Sequence, residues 1–563
     1  MPKPRIPKKD ITLRPPEEAA RLELSARIET ILGHAKHRFT LLGAFAFLLL
    51  GLLVTGAQNL HQLNTQGIAY ILLAKHCASG DFGLAVSSYW SPMLSWCIAV
   101  GLKIGWNDPT AARVAMGISG LLFWIAAVVL LFLTQIPARS LLIGAWLTAF
   151  AALPWSIEYI SPDLLGAALL LLAIATTFYT VRFKSREAAI AAGLFWGLTY
   201  YAQAMLLPVI FISLLGFGLI GKLGSSDKTR TWLKSIGLQT AVAVIIMVPW
   251  WTVLSLEYGR PTIGTVWKID HAVAGPPDVD RYHPCFGSFN PPSEGRLTNW
   301  EDPARLKYSY WSPLKTRANR EHQASLIKSN IKAALSIFSG YGTFGIGILA
   351  LLSCLVFRPP LERQVLSQTW RWVIVPAPSV VLAFLPVSVT GFDSRFFYVV
   401  YPLMLVAALN FIEWLPRQFD WERFPGGFVA AILAILFAIP IIPRLTASLE
   451  GMHNPGGYAT LELAARMKTA NISGTIAGDA MLLGSRTGLY VACLLNESWI
   501  GDSPAVVGTD YLSCGADLII VHRQHRVNSD MEFNPAFRDL DTVLFPDKMQ
   551  AEQFPLRVYQ INR

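Results

Sequence analysis

The stretch 39–57, FTLLGAFAFLLLGLLVTGA, carries no charged residue, and Lys36 and Arg38 stand directly before it. A helix of about 20 such residues spans the hydrocarbon core of a bilayer. Outward from this run, further apolar stretches occupy 110–134, 141–157, 164–181, 188–203, 204–220, 235–256, 331–357, 372–390, 396–415 and 427–446. Every second gap between them is basic. With residue 38 inside, the inside loops carry Arg139, then Arg182, Lys184 and Arg186, then Lys222, Lys228, Arg230 and Lys234. Arg358, Arg363 and Arg371 follow, and then Arg417 and Arg423. On the other side, 158–163 has no Lys or Arg and 391–395 only Arg395. Cytoplasmic loops of membrane proteins concentrate Lys and Arg. The reading is a mainly α, polytopic membrane protein of the cytoplasmic (inner) membrane with about eleven transmembrane helices. Residues 1–38 form a cytoplasmic tail and 39–446 the transmembrane domain. The large loops 58–108 and 257–330 lie outside, as does the extracytoplasmic domain 447–563.

Composition supports this assignment. Hydrophobic residues make up 53% of the chain and charged ones 15%, against about 25% charged in soluble domains. The net charge of +10 sits in membrane-flanking loops and the N-terminal tail, where it serves topology and contact with anionic lipid. It does not call for nucleic acid as a partner. No cleavable signal peptide is expected, because the first apolar run begins only at Phe39 and no small-residue cleavage site precedes it. The stretch 16–37, with Leu22, Leu24, Ile28, Ile31 and Leu32, reads either as an interfacial helix or as a solvated tail. Cys77, Cys97, Cys285, Cys354, Cys493 and Cys514 form no metal-ligand spacing, so a zinc site is not expected; no cofactor is predicted, and a divalent metal stays open without support. Cys493 and Cys514 share one outside domain, where oxidation is permitted; they either pair or remain ordinary buried thiols.

The outside pieces differ in character. Segments 67–79 and 90–103 read as two short amphipathic helices on the membrane surface. Loop 257–330 is long, and its aromatics Trp267, Tyr282, Phe286, Phe289, Trp300, Tyr308, Tyr310 and Trp311 argue against disorder; it is expected to fold down onto the membrane. Beyond 447, YATLELAARMKTA (458–470) and RTGLYVACLL (486–495) read as helices. GTIAGD (474–479), ADLIIVHR (516–523), DTVLF (541–545) and LRVYQI (556–561) read as strands, giving a small C-terminal α/β domain.

Ionisable groups at the ends of spans are functional candidates by default. Glu158 and Asp163 lie in WSIEYISPDLLG (155–166), where Asp163 follows a proline at a helix start. It either caps that helix or serves a ligand. Asp393 and Arg395 lie in TGFDSRFFYVVYP (390–402). They form a surface pair, or else Arg395 receives a lipid-linked phosphate, which suits the planar fork of a guanidinium.

The first outside loop carries Gly67-Ile68-Ala69-Tyr70, Ala74-Lys75-His76, Gly80-Asp81-Phe82, Ala85-Val86, Tyr89-Trp90-Ser91-Pro92 and Ser95-Trp96. Further along stand Asp108-Pro109, Ala112-Arg113, Ser161-Pro162-Asp163, GLTYYA (197–202), RFFY (395–398) and Tyr401-Pro402. In this order the motifs resemble the GT-C membrane glycosyltransferases, which include the protein O-mannosyltransferases and the lipid A aminoarabinose transferases. The resemblance covers most of the membrane part.

It implies transfer of a sugar from a polyprenyl-phosphate donor to an extracytoplasmic acceptor, with membrane lipid as the surroundings. That chemistry needs a carboxylate to take the acceptor hydroxyl's proton and cations for the departing phosphate. The family's base is an Asp shortly before Gly-x-x-Tyr, where this chain has Gln66, with Asn64 earlier. Relatives also carry Lys after YYA, where this chain has Gln203. Either the base has moved, with Asp163 and Asp81 as the catalytic candidates, or the chain binds glycolipid without turning it over. Loss of a general base costs about 10²–10⁴ in rate. Arg395, helped by Lys75 or His76, is expected to bind the donor phosphate. Gln66, Tyr70, Gln203 and Glu158 are expected to contact substrate. Two rivals remain. A transporter or flippase of lipid-linked sugar predicts matching halves with broken spans, and no repeat is visible. An oligosaccharyltransferase or polymerising ligase needs a divalent metal and an outside WWD-type motif; the PWW at 249–251 is followed by Thr252 inside a span.

Overall fold

Backbone polar groups find no water in hydrocarbon, so apolar runs cross it as helices. The computed structural model of the chain is built on such helices. It describes residues 16–563 except 135, 225–228, 280, 287–288, 341–388, 391–392, 419–425, 455, 480, 483–484, 502–507 and 563. Helices α1 (Pro16–Gly33) and α2 (Ala35–Gln58) are followed by α3 (Thr65–Ser79) and α4 (Pro92–Lys103). Then come α5 (Asp108–Leu133), α6 (Ala138–Glu158), α7 (Asp163–Phe183), α8 (Arg186–Ala202), α9 (Leu207–Gly224) and α10 (Thr229–Glu257). A long loop holding α11 (Val266–Val273) leads to α12 (Arg317–Gly340), and α13 (Val400–Gln418), α14 (Gly426–Ala438) and α15 (Ile442–Glu450) close the helical part.

Six stretches among the described residues are long and apolar enough to cross a membrane: Ala35–Gln58, Asp108–Leu133, Ala138–Glu158, Asp163–Thr180, Leu233–Glu257 and Gly427–Glu450. Ala204–Gly218 and Ser394–Asn410 are apolar but shorter. The expected spans at 331–357 and 372–390 fall largely outside the described residues. The chain is a mainly helical, multi-pass membrane protein. Small residues let its helices approach closely. At Gly193 and Gly197 of α8 an added Cβ would stand 2.6 Å from the Cβ atoms of Val242 and Ile246 on α10, the close approach that glycines four apart permit in membranes.

The N-terminal stretch forms a helix. In α1, Arg27 donates to the carbonyls of Thr134 and Ile136, and Arg21 to that of Phe183. Thr134 is the C-cap of α5 and Phe183 ends α7, so guanidinium groups meet the negative ends of two helices, while Ile136 lies in the loop beyond α5.

The three large hydrophilic pieces interlock at the opposite ends of the spans. Thr265 N donates to Ser88 O (2.8 Å) and Trp499 N to Leu297 O (2.7 Å). Gln62 Nε2 donates to Gly451 O (2.7 Å) and Lys75 Nζ to Cys493 O (3.0 Å). This changes the character of α3. Instead of lying half-exposed on a surface, it is buried continuously from Gly67 to Ala74, because the 299–301 turn and the C-terminal domain cover the face turned away from the bundle.

The C-terminal piece is an α/β domain. Its helices α16 (Gly456–Thr469) and α17 (Thr487–Leu495) flank a sheet of β1 (Ile476–Asp479), β4 (Leu518–His522), β5 (Phe537–Asp539) and β6 (Leu556–Ile561), with a small hairpin of β2 (Met481–Leu482) and β3 (Ser485–Arg486). The strand order is β1-β4-β6-β5, with β1 and β4 parallel and the other pairs antiparallel. The expected strand at 541–545 is instead a helical turn, Asp541–Leu544. Asp539 at the end of β5 accepts the Asp541 amide (2.8 Å) and turns the chain out of the sheet. Cys493 is a buried thiol on α17 and is not bonded to Cys514.

Candidate functional site

Three chain breaks bring polar groups together beneath the interlocked loops. Pro162 ends the loop after α6, and Asp163 opens α7 without capping it through its side chain. Gln203 is extended, at φ −152° and ψ 101°, and separates α8 from the turn leading into α9. Asp393 accepts the backbone N–H of Arg395 (3.0 Å) and starts the 3-10 turn Ser394–Phe397.

Arg395 links these breaks. Its Nε and Nη2 both donate to Asp393 Oδ2, at 3.0 and 2.5 Å. Its Nη1 donates to Gln66 Oε1 at 2.8 Å and stands 3.5 Å from Asp163 Oδ2. The guanidinium lies 4.7 Å above the Tyr159 ring. Asp163 is buried at 2% exposure; its Oδ1 accepts from Gln203 Nε2, while Oδ2 has no hydrogen bond among the described residues. The amides Gln66 and Gln203 therefore end one network that runs Gln203–Asp163–Arg395–Gln66. A buried carboxylate is tolerated only when charge and hydrogen bonds compensate it, and here Gln203 and Arg395 do so from two sides.

A cavity of about 350 Å³ opens beside this network. Its walls include Gln66 and Tyr70 of α3, Tyr89 and Trp90 of the first loop, Gln203, Asp270 of α11, and Asp393 and Arg395. Asp270 Oδ1 accepts from Tyr89 Oη at 2.9 Å. Burial pushes its carboxyl up to about 6, against the opposing pull of the Tyr89 hydrogen bond.

The remaining expected site residues stand elsewhere. Asp163 lies behind the cavity wall and contacts it through Gln203 and Arg395. Asp81 is exposed, accepts from Ser79 Oγ at 2.7 Å, and does not reach the cavity. Lys75 pairs with Asp108 (2.7 Å) and His76 with Glu301 (2.7 Å). Both side chains fasten α3 to its surroundings, and neither lines the cavity that Arg395 lines. Glu158 pairs with Arg444 of α15 at 3.0 Å. Among the described residues no group of three or more His, Cys, Asp or Glu is placed to hold a metal ion.

Sequence reasoning missed Asp270. The only local signal is VWKIDHAV (266–273), a short helix with a carboxylate inside an aromatic loop. Its partner Tyr89 is 181 positions away, so nothing in the local pattern marks it.

No family model and no curated protein matches the chain in sequence. Among solved structures, apo ArnT from Cupriavidus metallidurans superposes at TM-score 0.55 and 13% identity, covering 93% of this chain and 98% of ArnT. The same enzyme bound to undecaprenyl phosphate gives TM-score 0.55 and 13% identity, over 92% and 97%. The arabinofuranosyltransferase AftD from Mycobacteria overlaps 92% of this chain and 40% of its own, at TM-score 0.42 and 12% identity. ArnT is a GT-C glycosyltransferase, and this chain has the GT-C fold.

Proposed function

We propose that the chain is a glycosyltransferase of the cytoplasmic membrane that moves a sugar from a polyprenyl-phosphate donor to an extracytoplasmic hydroxyl acceptor on a glycolipid, polysaccharide or protein. One observation carries this reading: the cavity at the loop-covered ends of the spans has a guanidinium, Arg395, in its wall, on a fold shared with a protein that binds undecaprenyl phosphate. The basic gaps between spans support a topology of about eleven spans with this end and the α/β domain outside.

In this reading Arg395 receives the donor phosphate. Asp393 occupies one edge of its fork and Gln66 the other. A phosphate exchanges with the neutral Gln66 amide more readily than with a carboxylate, since displacing the amide separates no opposite charge from the guanidinium. A second reading is glycolipid binding without turnover. It is favoured by Gln66 where relatives carry the base, and by the two carboxylates that already face Arg395.

The test is undecaprenyl-phosphate binding to the purified full chain and to Arg395→Lys and Arg395→Ala. A charge-assisted hydrogen bond contributes about 1.5–3 kcal/mol, so Arg395→Ala should lower affinity about 10–100-fold. Arg395→Lys, which keeps the charge and loses the fork, should fall between. Unchanged lipid binding in both variants removes Arg395 from the phosphate site.

A further inference from the structure

We infer that Asp270, oriented by Tyr89, is the base that takes the proton of the acceptor hydroxyl. The inference rests on the sugar-transfer reading and names the residue that reading lacks. Two carboxylates line the cavity among the described residues, Asp270 and Asp393. Asp393 is committed to Arg395 through its backbone amide, Nε and Nη2. A carboxylate held this way is a weak proton acceptor, because the cation stabilises its charged form. Asp163 is buried behind the wall beside the same cation, and Asp81 is out in solvent. The Asp270 carboxylate makes no salt bridge among the described residues and one hydrogen bond, from Tyr89 to Oδ1, so Oδ2 carries none in a residue that lines the cavity.

The pair is held firmly. Thr265, at the start of α11, is tied to Ser88 by its amide (2.8 Å) and its hydroxyl (2.9 Å). Trp311 Nε1 donates to the carbonyl of His271 at the other end of the helix. The Tyr89 ring sits edge-on against Trp90 and His283, at 4.5 and 5.5 Å between centroids. Two outside loops thus supply one residue each, and the site is complete only when they dock. Burial raises the Asp270 carboxyl to about 6, near the operating range of an efficient general base.

The step balances as a single displacement. The acceptor oxygen bonds to the anomeric carbon while its proton passes to Asp270 Oδ2. The bond from that carbon to the phosphate oxygen breaks, and its electron pair leaves on the polyprenyl phosphate beside Arg395. Asp270 then releases the proton to water.

The pH response belongs to a defined set of groups. Tyr89 faces Asp270 from the first loop, and Tyr70, Asp393 and Arg395 line the same cavity. On its own helix stand Lys268 and His271, of which His271 stacks on Trp311 at 4.4 Å and bonds Gln323 at 2.9 Å. The experiment measures sugar transfer against pH for wild type, Asp270→Asn and Tyr89→Phe, with undecaprenyl-phosphate binding measured in parallel. Wild-type rate should rise with pH to a plateau, with an apparent pKa near 6, because the base works deprotonated. Asp270→Asn should lose about 10²–10⁴ in rate with lipid binding intact. Tyr89→Phe removes a hydrogen bond that favours the ionised form, so its acidic limb should move to higher pH; a merely structural Tyr89 would lower the rate equally at every pH. Wild-type transfer with Asp270→Asn undiminished, or with lipid binding lost in that variant, overturns the assignment of the base alone. Lipid binding without transfer by the wild type overturns the sugar-transfer reading, and the base with it.

Discussion

Gln66 and Gln203 hold neutral amides where a cation and its carboxylates meet. Gln66 accepts from Arg395 at 2.8 Å, while Gln203 donates to the buried Asp163. A carboxylate at position 66 would become a third acid around one guanidinium, beside Asp393 and Asp163. Gln66→Asp is therefore expected to tighten the hold on Arg395, weaken undecaprenyl-phosphate binding and slow transfer. Lipid-binding and turnover assays on the purified variant check this. A rise in turnover would mean that position 66, and not Asp270, is the natural place for the base. Arg395, Gln66 and Asp163 stood out in the sequence because each sits in or beside a short motif, and the structure brings the three together. Asp270 did not stand out, since its meaning comes from burial and from a tyrosine on another loop. For Lys75 and His76 a cation near a motif suggests a phosphate role, and only packing reveals that they pair with Asp108 and Glu301.

Among the elements, α8 positions Gln203 and carries it to the end of the span, where the helix breaks. Its two close-approach glycines set how α8 lies on α10. Alanine at Gly193 meets the Gln239 carbonyl oxygen at 2.7 Å as well as Val242, and at Gly197 it meets Ile246 at 2.6 Å. Overpacking of this kind costs about 1–3 kcal/mol, so each Gly→Ala change should lower the thermal midpoint of the purified protein. An unchanged midpoint would mean that the two helices are less closely packed than described. The expected spans 188–203 and 204–220 form helices too short to count with the other five between 39 and 256; those five were readable because apolar length is a property of composition. The surface placement of α3 was not, because the covering segments come from 299–301 and from the tail. The strand expected at 541–545 failed for a local reason, an Asp539 side chain that accepts the following amide and outweighs the β propensity of Val543 and Phe545.

On the scale of the molecule, first loop, long loop and tail form one assembly over the bundle. An added Cβ at Gly457 would come within 1.8 Å of the His61 carbonyl oxygen, so the tail is seated directly on the backbone of the first loop. All three pieces must therefore share a side, and the proposed topology has that side outside. A phosphatase fused after Arg563, active only where disulfides form, should be active in cells, and an inactive fusion would shift the span count by one. Sugar transfer from a polyprenyl phosphate is measured on the purified full chain given a panel of polyprenyl-phosphate sugars with acceptor. For at least one donor, polyprenyl phosphate should be released with the sugar appearing on the acceptor, and Arg395→Ala should lose that turnover. Tight binding of undecaprenyl phosphate with no turnover of any donor would contradict the proposed transfer.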